Sequence, residues 1–187
     1  MKRKIILVVS WTVAAMLLVP AVLSADTNNS TRDAAKVSQV AVHLSTFEQQ
    51  AARTSRDAET LLSIARNHRT SWESHTSYLR VLREGVNNMG RMLAELEEMT
   101  PQASEVQQTA IERARPHLVA LADKTGEAIK LARPGRWNLR QAEYKETVAD
   151  LSQHAAGLYQ TVDTIVDYHN ANDRLQSLKP AHGSSEN

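Results

Sequence analysis

From Val37 to Leu175, apolar residues return at three- and four-residue steps almost without a break. That spacing lays a single apolar stripe along an α-helix, and a chain patterned this way must bury the stripe against other helices. No run alternates apolar and polar residues with β-branched enrichment and turn signals at both ends, so no strand is expected. The predicted class is all-α, an antiparallel up-down four-helix bundle with long helices.

Start and stop signals cut the pattern into four segments. The first is predicted from Thr31 to His68, along Val37, Val40, Leu44, Phe47, Ala51, Ala58, Leu61 and Ala65, with Thr54 interrupting. The second opens at Thr70 or Ser71, where Thr70 and Glu73 have capping-box spacing, and runs along Trp72, His75, Leu79, Leu82, Val86, Met89, Leu93 and Leu96 to Met99. The third opens at Thr100-Pro101, proline being tolerated at a first helical position, and stops at Pro134-Gly135. The fourth runs from Asn138 through Tyr144, Val148, Leu151, Leu158, Val162, Tyr168 and Leu175 to Leu178. The heptad register passes unbroken from Val37 to Leu96, so a single rod spanning the first two segments is the alternative to a turn at 67–71. Pro116 inside the third segment implies a kink or a split. Gly85, Gly90, Gly126 and Gly157 each cost about 1 kcal/mol relative to alanine within a helix; close helix contact is the expected reason, and local looseness is the alternative.

The chain begins with Lys2-Arg3-Lys4, an apolar run from Ile5 to Val19, Pro20, and small residues at Ser24 and Ala25. This is the three-part pattern of a secretory signal peptide, predicted as residues 1–25 with cleavage near Ser24 or Ala25. The apolar run falls short of the ~20 residues that a retained membrane anchor needs. The remaining divisions are a polar lead-in at 26–30, the bundle domain at 31–178 and a disordered tail at 179–187. The expected location is periplasmic or extracellular. Cleavage takes away three basic residues and no acid from a chain of 22 Lys+Arg and 21 Asp+Glu. The mature protein is then weakly acidic and lacks the basic excess of a nucleic-acid binder.

The absence of cysteine excludes disulfides, thiolate metal sites, iron–sulfur clusters and covalently attached c-type haem. A ferritin-like centre needs Glu three residues before His. The residues at that offset from the mature histidines other than His182 are Val40, Ala65, Trp72, Ala114, Leu151 and Val166, so no such metal centre is expected. No His-Glu-x-x-His, phosphate loop or Gly-x-Ser-x-Gly elbow is present. The candidate cofactor- or ligand-binding residues are Trp72, His75, Met89 and His117, since bundles hold haem or metals between histidines and methionines. Their ordinary alternative is structural. His68 ends a helix where a cation meets the negative dipole, and His75 is a hydrogen-bonded, partly buried histidine. The arginines Arg53, Arg56, Arg66, Arg69, Arg80, Arg83 and Arg91 are expected to line a solvated face paired with Glu48, Asp57, Glu59, Glu73 and Glu84; the alternative is a surface for a polyanion or an anionic lipid.

The Ser71-Trp72-x-x-His75 motif, the Gln108-x-Ala110-Ile111-x-Arg113-x-x-Pro116-x-Leu118 motif, Tyr144 and Val166-Asp167-Tyr168 carry a resemblance. Over Trp72 to Leu178 the chain resembles a group of uncharacterised secreted bacterial α-helical proteins with no assigned activity. The resemblance implies export and a helical fold, with Trp72, His75 and Pro116 in a common framework. It supplies no catalytic residue, and the arginine-rich first segment lies outside it. The expected function is that of a non-catalytic exported bundle, not an enzyme and without a cofactor. It would act through protein or envelope-surface contacts, with a protein partner in the cell envelope or a second copy of itself. The alternative is a periplasmic carrier of haem, a metal or a small ligand.

Overall fold

The computed structural model describes residues 25–67, 69–132 and 138–178. All but Ala25 of the predicted leader, the 179–187 tail and His68 lie outside the described residues. Helix α1 spans Ala25–Arg66, α2 Trp72–Glu98, α3 Glu105–Ala132 and α4 Ala142–Leu178. Single 3₁₀ turns, Thr100–Gln102 and Asn138–Arg140, precede α3 and α4. No strand occurs among the described residues. α1 and α3 each pack against both α2 and α4, while α1 and α3 scarcely meet across the diagonal. This is the neighbour order of an up-down-up-down bundle.

The core is the predicted set of stripes turned inward. Phe47, Leu61, Leu79, Leu82, Met89, Leu96, Leu121, Leu151 and Leu158 are fully buried. Each large apolar side chain so placed contributes about 1.5–3 kcal/mol.

The turn at 67–71 is real, and the single rod is not formed. Asn67 organises the turn: its Oδ1 accepts from Arg69 N–H at 3.1 Å, and its carbonyl accepts from Thr70 N–H at 3.2 Å. Thr70 is therefore committed to the turn, and the cap falls one residue later than the capping-box spacing predicts. Ser71 Oγ accepts from Ser74 N–H at 3.3 Å, satisfying one of the orphan amides of α2.

The start of α3 also differs. Thr100-Pro101 forms the 3₁₀ turn, closed by Gln102 N–H to Met99 O at 2.9 Å. The helix then restarts with a reciprocal box: Gln107 N–H donates to Ser104 Oγ at 3.3 Å, and Ser104 N–H to Gln107 Oε1 at 2.9 Å. The Gln107 Nε2 also donates across the bundle to Val37 O of α1 at 3.1 Å. α3 runs unbroken through Pro116, whose ring faces solvent, so the split is not formed. Residues 26–30, expected as a lead-in, lie within α1.

Cross-helix pairs set the register. Trp72 meets Ala132 and Glu97 meets Arg115 between α2 and α3. Lys124 meets Asp150 and His117 meets His154 between α3 and α4. Both pairs of helices are antiparallel. Carried on, the same step puts the first turn of α3 level with the turn of α4 at Val166 to His169. Val37 lies level with Gln107, so the start of α1 and the end of α4 both run past the α2–α3 turn as a projecting arm. On this arm the predicted stripe loses its cover: Tyr168 and Leu175 are exposed, at 61% and 64%, as is Leu178 at the end of the helix, at 75%.

Candidate functional site

The Trp-x-x-His motif opens α2, and the structure gives each of its two residues a partner on a different helix. Trp72 Nε1–H donates to Ala132 O at 2.8 Å, occupying an otherwise orphaned carbonyl in the last turn of α3. One turn on, His75 Nδ1 lies 2.9 Å from Tyr144 Oη of α4, with the two rings tilted at 59°. His75 is 3% exposed and Tyr144 is fully buried. Burial holds the His75 imidazole below the ordinary histidine range and raises the Tyr144 phenol. A neutral imidazole and a protonated phenol therefore face one another, and the pair ties the first turn of α2 to the first turn of α4.

Beside this pair is a polar cavity of about 250 Å³, formed by the 67–71 turn and the segment that enters α4. Among the described residues its polar wall is made by Asn67, Arg69, Thr70, Ser71, His75 and Arg140. On the neighbouring α2–α3 face a more apolar groove of about 240 Å³ runs between Trp72, Leu79 and Ile129, with Arg80 and Arg83 at its side.

The other two candidates lie elsewhere. Met89 is fully buried in the core stripe of α2, about 21 Å along the helix from His75. His117 is half-buried and sits over Gly157 of α4, its ring centroid 6.4 Å from that of His154. The four candidates do not converge on one site: Trp72 and His75 share an end of the bundle, while Met89 and His117 lie further down it. Among the described residues, no group of three or more His, Asp or Glu side chains is placed to hold a metal ion.

Charged groups concentrate at helix seams. Lys124 bridges Glu127 at 3.1 Å and Asp150 at 3.3 Å, bonds that raise its pKa. Arg115 reaches Glu97 at 2.6 Å. At the α1–α4 seam the Glu48 carboxyl is raised, first by desolvation and then by Asp163 and Asp167. The Tyr159 phenol is raised there chiefly by its hydrogen bond to Asp163. Arg53, Arg56, Arg66, Arg69, Arg80, Arg83 and Arg91 are all exposed.

No family model, curated protein or solved structure matches this chain. The site must therefore be understood from its own chemistry. Sequence reasoning picked out Trp72 and His75 and counted Arg69 among the surface arginines, but missed that Arg69 and Arg140 line one cavity beside them, because two arginines in separate turns have no shared spacing. The projecting arm was missed as well, since helical periodicity reads the same whether or not a neighbour covers the stripe. Among the described residues no helix is long and apolar enough to cross a membrane.

Proposed function

We propose that this is a non-catalytic, exported helical bundle that works by contact with another protein in the cell envelope, through the arm formed by α1 and α4. The observation that carries this reading is the exposed row Tyr168, Leu175 and Leu178. These positions fall on one side of α4 at spacings of seven and three, where the stripe outruns the helices that would cover it. Exposed apolar side chains gathered in one place mark interaction surfaces, and a tyrosine among them suits a contact that is apolar at one end and wet at the other. The basic, apolar and small-residue pattern at 1–25 supports export.

The test is site-specific photo-crosslinking in the source cell. A photoreactive residue at Leu175 is expected to give a discrete protein adduct, lost when Tyr168→Asp and Leu178→Asp are introduced into the same folded chain. A photoreactive residue at Arg83 serves as the control. Adducts no stronger at 175 than at 83 would refute the reading. An adduct with the mass of two copies would replace the partner by self-association. N-terminal sequencing of the mature chain tests cleavage near Ser24 or Ala25.

A further inference from the structure

The end of the bundle opposite the arm carries a second feature, independent of the contact surface. The polar cavity beside His75 is lined by two arginines, Arg69 and Arg140, by Thr70 and Ser71, and by Asn67. Among the described residues no aspartate or glutamate lines it. Among the described residues neither arginine is held in an ion pair, whereas Arg115 and Lys124 elsewhere are. Ser71 is the N-cap of α2, so the cavity also borders the positive end of a 27-residue helix dipole.

A buried side chain completes the set. His75 is 3% exposed, yet it is one of the residues that line the cavity. Tyr144 occupies Nδ1, and among the described residues no group bonds Nε2. With the phenol donating to Nδ1, the neutral ring carries its proton on Nε2, which is then an N–H donor. The cavity therefore combines positive charge, hydroxyl groups and a ring N–H, and no carboxylate competes among the described residues that line it. A ligand complementary to it is an oxyanion with several acceptor oxygens, and paired arginines match phosphate in particular.

We propose that this cavity binds a phosphate group, held by Arg69 and Arg140 against the Nε2–H of His75. The same group is presented by free phosphate, by small phosphomonoesters and by the headgroup of an anionic phospholipid. A volume of about 250 Å³ exceeds what one tetrahedral oxyanion fills, which leaves room for its substituent.

The test uses the mature full chain with its histidines and arginines labelled with nitrogen-15. Inorganic phosphate, glycerol phosphate and vesicles of phosphatidylglycerol or phosphatidylcholine are titrated in turn, and the His75 ring signals are followed by NMR. The expected result is a saturable shift of the His75 Nε2 signal with at least one phosphate-bearing probe. The Arg69→Gln/Arg140→Gln chain should lose about tenfold or more in affinity, as expected for two charge-assisted contacts. Arg83→Gln should bind as the parent does. Saturation by the soluble probes identifies a small-molecule source, and saturation by phosphatidylglycerol vesicles alone identifies a headgroup. Equal affinity in the double-glutamine chain, or no saturable His75 shift with any of these probes, would overturn the proposal. Both arginines are exposed, so their replacement leaves the core intact.

Discussion

The four helical glycines make a quantitative experiment, because the structure divides them into two pairs. A Cβ added at Gly90 or Gly126 meets nothing within 4 Å. Alanine there should add about 1 kcal/mol of stability through helix propensity and a less flexible unfolded chain. In a protein of this size that raises Tm by about 2–4 °C. A Cβ at Gly85 would lie 2.9 Å from Thr54 Oγ1 on α1. Thr54 is buried, β-branched and held by its own bond to Gln50 O at 3.0 Å, so it yields poorly. Overpacking of this kind costs about 1–3 kcal/mol, which cancels or exceeds the propensity gain. Gly85→Ala is therefore expected to range from neutral to about 2 kcal/mol destabilising. At Gly157 the Cβ would meet the His117 ring at 3.0 and 3.1 Å; that ring is half-exposed and can swing aside, so the penalty should be smaller. Urea unfolding followed by circular dichroism measures all four. Thr54→Ala provides the control: in that background Gly85→Ala should recover a gain of about 1 kcal/mol. If Gly85→Ala stabilises as much as Gly90→Ala, or if Thr54→Ala leaves its effect unchanged, the contact argument fails.

Three further outcomes are expected. Pro116 withholds one backbone donor in the middle of α3 while its ring faces solvent, so Pro116→Ala should stabilise by up to about 3 kcal/mol; an unchanged urea midpoint would refute this. His75 titrates lower in the folded than in the unfolded state, so the unfolded chain takes up the proton first. The contribution of this residue is complete above about pH 6.5 and is lost as pH falls below that toward the folded value. His75→Gln should show a shallower loss of stability between neutral and acid pH, and an acid slope equal to that of the parent would count against the buried neutral ring. Gln107→Ala removes half of the α3 box and the bond to Val37 O, and should cost about 1–3 kcal/mol; a loss confined to a few tenths would mean that the cross-bundle bond contributes little.

How much of this was legible in advance depended on the range of the interaction. Periodicity located the inward faces because packing selects the same three- and four-residue spacing that defines a stripe; Val40 to Ala65 and His75 to Leu96 are buried as read. Caps were harder. Ser104 and Gln107 have the spacing of a box, but Thr100-Pro101 presents an equally good start four residues earlier, and only the 3₁₀ turn resolves which is used. The glycines needed the partner helix: Gly85 and Gly157 fit the expected close contact, while Gly90 and Gly126 face open space. The bond between His75 and Tyr144 joins residues 69 apart in the chain, a distance over which no local pattern operates. Tyr168 and Leu175 continue the stripe but lie exposed, because cover is a property of neighbours and not of the helix itself.

The seam between α1 and α4 joins the first and last helices of the chain. Zipping up this seam requires the two intervening helices to fold back first, so its loop-closure entropy is the largest in the molecule. The short hairpins can assemble locally, whereas the terminal pair is the step that closes the ring. The arm at the extremity of this seam runs past the α2–α3 turn and is covered by fewer neighbours than the rest. A partner that clasps both helices there would act as a buckle, fastening the circuit at the point where the covalent chain provides no link.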